Sequence, residues 1–386
     1  MSRHHRCLVI TTAALAACST APRAGRGAAP GDASAVRTAR DSALVASIDA
    51  FTRARESMDS LSGIVVLAHG DAPLYTRSIG LADRESGAPN RLDTKFGLAS
   101  VDKFFTRIAI RQLQQAGKLS MNDRVGKHLP EYPNPQVRDG VTIRQLYTMR
   151  SGLGDFSRNE RDMIARRLTL RSIDDYLALF ATDSLEFPPG TKQLYSNAGY
   201  VVLGKIIERV SGESYYAYVQ RHVFDPAGMR NTGYYTADRA VPNMAVPYTT
   251  SPAAAGEVPP TASSPPSHRR SAASLLFYRG SSAGGGYSSA EDLLRLSRAL
   301  RTHTLLSPAY TDSLFELRGP APFGPAGWAG GWSGGSWGTN TEFYVHSTGH
   351  TLVVLSNYDP PSSTVYRTKL WKEWLPAWVS DSAPRP

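Results

Sequence analysis

The segment of this sequence with the clearest potential for chemistry begins with a serine and a lysine three residues apart. Ser100 and Lys103 begin an amphipathic helical segment, and this spacing puts both side chains on one helix face. A serine at a helix N-terminus lies near backbone N–H groups and the positive end of the dipole. A buried lysine loses its charge readily and can accept the serine proton. The pair predicts a nucleophile with its base; the alternative is an ordinary N-cap followed by a solvated lysine.

A second polar group follows the Pro-Pro-Gly turn at residues 188–190. Tyr195 and Asn197 stand just before an apolar helical segment, so the turn predicts a loop that faces a cleft. A tyrosine beside an ammonium can become phenolate-like and carry the leaving group's proton. An asparagine can hydrogen-bond both the lysine and a substrate carbonyl. We therefore expect Ser100, Lys103 and Tyr195 to be catalytic and Asn197 to bind substrate.

The elements that would position these residues are strands at both chain ends and helices between them. A sheet built from both ends with an inserted helical lobe is an α+β architecture. We place an α/β lobe at about 41–98 and 285–380 and the helical lobe at about 99–284. Residues 249–274, rich in Pro, Ala and Ser, predict an exposed loop or lid. The pattern predicts a helix over about 42–58, a hairpin over 63–79, a helical middle over 101–222, a helix over 290–300 capped by Ser288 or Ser289, a second hairpin over 342–355 and a final helix over 365–378.

The first residues have the pattern of an export signal. Arg3 to Arg6 form a basic start, and Leu8 to Ala17 form an apolar core too short to span a bilayer. This signal peptide, residues 1–17, ends at Cys18 in a run that resembles a bacterial lipobox. We expect lipidation of Cys18 and a membrane anchor in the periplasm or cell envelope; the alternative is simple secretion with Cys18 incidental. Residues 18–40 predict a flexible tether.

Composition limits the function classes. The 386 residues are 41% hydrophobic, enough for a sizeable core. Lys and Arg outnumber Asp and Glu by 43 to 33, but the basic residues are scattered without interleaved aromatics, so we expect no nucleic-acid binding. Both cysteines, Cys7 and Cys18, precede the folded domain, which excludes disulfides, thiolate metal sites and a cysteine nucleophile there.

Ser-x-x-Lys followed by Pro-Gly and Tyr-Ser-Asn resembles the serine β-lactamase-like superfamily of class C β-lactamases, D-alanyl-D-alanine carboxypeptidases and related carboxylesterases. The resemblance extends over about Gly63 to Asp359 and implies a β-lactamase/transpeptidase-like fold. It also implies an acyl-enzyme on Ser100, with Lys103 and Tyr195 moving protons and water releasing the acid. Similar stretches are Gly117–Ser120, Val125–Pro130, Val141–Arg144, Ser151–Leu153, Pro226–Met229 with Asn231-Thr232, and Ser282–Tyr287.

The third motif of this superfamily, Lys or His followed by Thr, Ser or Gly and then Gly, is altered here. The corresponding stretch is Gly331-Trp-Ser-Gly-Gly335, so Trp332 stands at the position of the cation. An indole cannot bind the carboxylate of a penicillin or a D-alanyl peptide, whereas several related carboxylesterases carry Trp-x-Gly. The resemblance assigns Trp332 and Gly334 to substrate binding, with a core aromatic as the alternative for Trp332. It assigns the oxyanion hole to the N–H groups of Ser100 and Gly335.

Two Gly-x-Ser-x-Gly strings support a rival α/β-hydrolase interpretation, with Ser282 or Ser333 as nucleophile and His346 or His350 as base. Neither serine is followed at once by a helix, and the alternating strand–helix pattern of that fold is missing. His346 and His350 straddle a hairpin turn without an acidic partner at ligand spacing, so no metal is predicted. Asp155 is predicted to cap a turn rather than line the cleft.

We expect a carboxylesterase or amidase that acts on a small ester or amide without a cofactor. The alternatives are a β-lactamase or D-alanyl-D-alanine carboxypeptidase with a peptidoglycan-like substrate, and a non-catalytic ligand-binding lipoprotein that keeps the fold. The last is suggested by the short Gly/Pro/Ala-rich approach between Leu317 and Gly331, where relatives carry another strand pair. The intact Ser100, Lys103 and Tyr195 favour catalysis. The pattern carries no signal of oligomeric state.

Overall fold

The computed structural model describes residues 31–158, 160–251, 269–314, 329–346 and 349–374. Residues 41–386 form one compact unit, and residues 1–40 form a second. The predicted signal peptide, Cys18, the middle of the predicted lid, most of the approach to Gly331 and the end of the last predicted helix lie outside the described residues. No helix within these ranges is both long and apolar enough to cross a bilayer.

A five-stranded antiparallel sheet joins the two ends of the chain, as the α+β prediction requires. Its order is β2-β1-β11-β10-β9, and Gly63 at the start of β1 pairs with Ser356 at the end of β11. The strands are β1 (Gly63–His69), β2 (Ala72–Ile79), β3 (Leu81–Asp83), β4 (Ala88–Pro89), β5 (Phe96–Gly97), β6 (Tyr248–Thr249), β7 (Arg270–Ser271), β8 (Tyr287–Ser288), β9 (Ala329–Ser336), β10 (Thr339–His346) and β11 (His350–Ser356).

Helices fill the middle of the chain and cover the sheet. Ser289 caps one of them, α11, by accepting a hydrogen bond from the Asp292 N–H. The helices are α1 (Gly31–Ser57), α2 (Lys103–Gln115), α3 (Val125–His128), α4 (Pro135–Gly140), α5 (Ile143–Tyr147), α6 (Glu160–Arg166), α7 (Ile173–Leu177), α8 (Asn197–Ser211), α9 (Tyr215–Val219), α10 (Asp225–Ala227), α11 (Ala290–Arg301), α12 (Pro308–Leu314) and α13 (Thr364–Lys369).

Strand β1 lies between two apolar cores. Side chains of a strand alternate between its faces, so Ile64 and Val66 join the large core shared with the helical segments. Val65 and Leu67 join a smaller core on the other face. Every residue from 63 to 68 is buried. Because both faces of the strand are covered, its sequence is a nearly continuous apolar run.

Two predicted boundaries are corrected. Helix α1 begins at Gly31 rather than near Ser42, so the predicted tether over 18–40 is helical in its last ten residues. The predicted helical middle is a series of short helices, because turns at positive-φ glycines such as Gly117 and Gly212 end the preceding segments.

Candidate active site

Ser100 lies on a tight turn that is fixed from two sides. The 3₁₀ turn Ala99–Asp102 leads directly into α2, and Ala99 has a φ of 46°, a conformation that alanine rarely adopts. Just before the turn, the Leu98 N–H donates to the Gly286 carbonyl over 2.8 Å, and the Leu98 carbonyl accepts from the Thr341 hydroxyl over 2.9 Å. These contacts hold the strained turn, and with it Ser100, against β10 and the glycine-rich segment after Ser282.

Lys103 lies beneath Ser100 and is fully buried. Its ammonium group donates to Ser100 Oγ over 3.0 Å, to Asn197 Oδ1 over 2.6 Å and to the Ala283 carbonyl. An ammonium has three donors, and each finds an acceptor here. Lys103 Nζ also lies 4.9 Å from the centroid of the Tyr195 ring. The predicted lysine is therefore in direct contact with the predicted nucleophile and is not solvated.

Tyr195 lies over the same serine from the solvent side. Its hydroxyl shares a hydrogen bond with Ser100 Oγ, and the side chain is 42% exposed. The residue stands one position before the N-cap of α8, Ser196, whose hydroxyl accepts from the Gly199 N–H over 3.1 Å. The structure thus brings Ser100, Lys103 and Tyr195 together, and Ser100 Oγ is hydrogen-bonded to both partners.

Asn197 connects this group to a carboxylate. Its amide nitrogen donates to Asp155 Oδ1 and Oδ2 over 3.0 and 3.1 Å, which turns its amide oxygen toward Lys103. Asp155 also accepts from the Ser157 N–H over 3.0 Å, as the predicted turn cap would. Asp155 therefore both caps a turn and orients Asn197, a second role that the sequence did not predict.

Strand β9 passes the nucleophile at Gly334. A Cβ on this residue would overlap the Leu98 carbonyl and lie 3.0 Å from the Ser100 nitrogen, so only glycine allows this approach. The next residue, Gly335, lines the same cavity as Ser100. The oxyanion hole of the Ser100 and Gly335 N–H groups stays a prediction. Gly334 itself provides close packing and not a cavity wall.

The substrate-binding assignment of Trp332 needs correction. Its ring packs edge-on against Tyr200 with centroids 5.8 Å apart, and the Arg107 guanidinium lies 5.7 Å from its centroid. Trp332 borders the large core and is not among the residues that line the cavity. The aromatic residue of this hairpin that does line it is Trp337, so the core-aromatic alternative describes Trp332.

A cavity of about 640 Å³ opens beside Ser100. Arg158 and Asp359 line part of it, and another wall is aromatic. The rings of Phe277 and Trp337 are nearly parallel, 14° apart with centroids at 6.4 Å, and Tyr176 lies 6.4 Å from Phe277. Such a wall favours an apolar group on the substrate. Other lining residues include Phe156, Met163, Tyr235, Leu275, Leu276 and Tyr287.

The rival nucleophiles are unsuited to attack a substrate. Ser282 is fully buried and donates to the Tyr200 carbonyl over 2.8 Å. Ser333 donates to Glu342 Oε2 over 2.6 Å and shares a hydrogen bond with Tyr344, a residue of the smaller core. Among the described residues, no cluster of three or more His, Cys, Asp or Glu could hold a metal ion.

Comparisons with known proteins agree on the family. A family model described as Beta-lactamase matches residues 49–373. The chain is 37% identical over 218 residues to Esterase EstB of Burkholderia gladioli, covering 53% of the chain and 55% of that protein. It is 35% identical over 181 residues to Penicillin-binding protein 4* of Bacillus subtilis (strain 168), covering 45% and 38%. The matches therefore span about half of these relatives' lengths or less.

Among solved structures, a penicillin-binding protein from Bacillus halodurans is similar over nearly its whole length. The TM-score is 0.69 at 30% identity, covering 82% of this chain and 98% of that chain. The predicted β-lactamase/transpeptidase-like fold is thereby confirmed.

Proposed function

We propose that this chain, which belongs to the Beta-lactamase family, is an esterase in which Ser100 forms the acyl-enzyme. The observation that carries the proposal is the double hydrogen bond of Ser100 Oγ, to Lys103 Nζ and to Tyr195 Oη, beside a cavity with an aromatic wall. A nucleophile in contact with its base is the geometric requirement for covalent catalysis.

In the acylation step, Ser100 Oγ attacks the ester carbonyl and its proton passes to the Lys103–Tyr195 pair, which can accept it because Lys103 enters this step as a neutral amine. The developing oxyanion accepts from the N–H groups of Ser100 and Gly335. Tyr195, whose partly exposed hydroxyl shares a hydrogen bond with Ser100 Oγ, then donates the proton to the alcohol oxygen as the C–O bond breaks. A water molecule attacks the acyl-enzyme in the second step, with the same pair accepting the water proton and returning one to Ser100.

Ester hydrolysis is favoured over β-lactam or D-alanyl peptide hydrolysis by the altered third motif. The residue at the position of the cation is Trp332, which packs beside Tyr200 and Arg107. Its indole cannot supply the charge that would bind a substrate carboxylate. The aromatic wall of Tyr176, Phe277 and Trp337 fits the apolar acyl or alcohol part of an ester. The similarity to Esterase EstB supports the same choice.

Hydrolysis of p-nitrophenyl butyrate by the full chain tests this proposal. We expect turnover that is abolished in Ser100→Ala and retained in Ser282→Ala, because Ser282 is buried away from the cavity. Turnover that survives Ser100→Ala and disappears in Ser282→Ala would overturn the assignment. If the wild type is inactive and a fluorophosphonate does not label Ser100, the chain is a non-catalytic ligand-binding protein and the proposal fails.

A β-lactamase or D-alanyl-D-alanine carboxypeptidase is the second candidate, because the penicillin-binding protein of known structure is similar over 98% of its length. Nitrocefin turnover that exceeds p-nitrophenyl butyrate turnover in kcat/KM would favour it.

We further propose that the protein is exported and anchored to the bacterial membrane through a lipid on Cys18. The support is the basic start, the short apolar run and the small residues before Cys18. Incorporation of labelled palmitate into the wild type, and its loss in Cys18→Ser, would test this.

A further inference from the structure

A buried carboxylate lies between the nucleophile and its lysine in the sequence, and the acylation chemistry does not use it. Asp102 is fully buried and belongs to the same 3₁₀ turn as Ser100. Its Oδ2 accepts a hydrogen bond from the Gly286 N–H. Its Oδ1 has no hydrogen-bond partner among the described residues. A carboxylate in such a place is costly to bury, and this position calls for an explanation.

Asp102 and Lys103 together hold the two ends of one short segment. Lys103 donates to the Ala283 carbonyl, and Asp102 accepts from the Gly286 N–H. We call residues 283–286 the glycine loop; all four line the cavity beside Ser100. The loop passes so close that a Cβ on Gly286 would lie 2.9 Å from Asp102 Oδ2.

The glycine loop also supports the turn that carries Ser100. The Gly286 carbonyl accepts from the Leu98 N–H over 2.8 Å, and a Cβ on Gly284 would lie 3.0 Å from the Ala99 carbonyl oxygen. Gly285 has a φ of 96°, which favours glycine. A displacement of Gly286 would therefore also displace Ala99, the strained residue directly before Ser100.

We propose that Asp102 is a positioning residue whose ionised carboxylate holds the glycine loop against the Ser100 turn and thereby sets the reactivity of Ser100. The inference rests on the proposed function in that Ser100 is taken as the nucleophile. A charged acceptor binds an N–H more strongly than a neutral one, so the loop is held firmly only while Asp102 is ionised.

The protonation of Asp102 makes this positioning dependent on pH. Burial raises the pKa of Asp102 to about 7, despite the Gly286 N–H and the charge of Lys103, which lower it. Among the described residues, three buried phenols also face it. Burial, and to a smaller extent the charge of Asp102, raises the pKa of Tyr215, Tyr234 and Tyr287. The ionised form is therefore present above pH 7 and is lost as the pH falls through 7.

The test is the rate at which a fluorophosphonate labels Ser100, followed by intact mass between pH 5.5 and 8.5 on the full chain. Asp102→Asn keeps the size and one acceptor but cannot ionise. At pH 8.5 we expect Ser100 of Asp102→Asn to be labelled about tenfold more slowly than Ser100 of the wild type, because a charged hydrogen bond is replaced by a neutral one. At pH 5.5 we expect the two proteins to be labelled at a similar rate. A ratio of the two rates that does not change with pH would overturn the proposal.

Two controls have matched chemistry. Asp292→Asn changes another fully buried carboxylate, which accepts from the Asn231 N–H over 2.6 Å and does not line the cavity; it should keep the wild-type pH profile. Burial also raises the pKa of Glu342 to about 7, so Glu342→Gln should keep the wild-type profile too. If Glu342→Gln, and not Asp102→Asn, removes the rise between pH 6 and 8, Asp102 is not the positioning residue.

A second measurement works on the wild type alone. Hydrogen exchange of the amides at 281–287, corrected for intrinsic rates and for the free energy of global unfolding at each pH, should show protection against local opening that falls between pH 8 and pH 6 as Asp102 takes up its proton. Unchanged protection would overturn the proposal even if Asp102→Asn does not fold. If the wild type shows no labelling of Ser100 at any pH, the proposed function fails, and the exchange experiment still decides whether Asp102 holds the loop.

Discussion

Replacement of Asp102 by Asn is predicted to stabilise the fold at alkaline pH, although it slows the nucleophile. In the unfolded chain an aspartate ionises near pH 4, whereas burial raises the pKa of Asp102 in the folded chain to about 7. The folded state therefore binds an extra proton between these values, and the stability of the wild type falls as the pH rises through this range. Asparagine has no proton to lose and does not share this decline.

The magnitude follows from the two pKa values. A difference of one pKa unit between the folded and unfolded states corresponds to about 1.4 kcal/mol. The burial of Asp102 therefore lowers the free energy of unfolding by about 1.5 kcal/mol at pH 5 and by about 4 kcal/mol at pH 8. A pH-independent cost of about 1–3 kcal/mol opposes this gain if one amide N–H of the asparagine is left unsatisfied. The stability of Asp102→Asn relative to the wild type should therefore rise by about 2.5 kcal/mol between pH 5 and pH 8.

Urea denaturation at constant ionic strength, at pH 5 and pH 8, measures this difference. Asp292→Asn is the control that should destabilise the chain at both pH values, because it loses an ion pair with Arg295 at 2.6 Å. A stability difference between Asp102→Asn and the wild type that is the same at both pH values would refute the reasoning, since the burial of Asp102 would then not perturb its ionisation.

Three further changes test the site. Lys103→Met should lower kcat for p-nitrophenyl butyrate by about 10²- to 10⁴-fold, the usual value of a positioned acid–base group, measured by steady-state kinetics. Gly334→Ala should lower kcat by about 10²-fold with little change in KM, because its Cβ would push β9 away from Ser100. Gly140→Ala, with open space around its Cβ, should leave kcat unchanged. Phe277→Ala should raise KM for p-nitrophenyl hexanoate about tenfold and leave KM for the acetate within a factor of about two, as paired KM measurements would show.

The residues that local spacing could identify are those the structure brings together. Ser100 and Lys103 are one turn apart, and Tyr195 and Asn197 flank the N-cap of α8, so short motifs were sufficient to pick them out. Strands β1, β10 and β11 were predictable for a similar reason, because each has an apolar run that marks a strand. The glycine-rich β9 has no such run and was not predicted. The fold class followed from where these runs lie in the chain.

The long-range contacts could not be predicted in this way. Lys103 reaches the Ala283 carbonyl across 180 residues, and Asn197 reaches Asp155 across 42, and neither contact leaves a trace in local periodicity. Only its place in a motif assigns Trp332 to substrate binding. Which of Trp332 and Trp337 lines the cavity depends on how the β9–β10 hairpin packs on the Ser100 turn, and this is a matter of tertiary packing.

The pairing of the first sheet strand with the last one sets the order in which the molecule can fold. Strand β1 pairs with β2 on one side and with β11 on the other, and nearly 300 residues separate Gly63 from its partner Ser356. A chain emerging from a ribosome or a translocation channel has its N-terminal hairpin long before the strand that completes it. Contacts so distant in sequence are slow to form, so until β11 arrives the β1 edge stays open to pairing with other strands. A chaperone that covers β1 during this interval would protect the whole chain from aggregation.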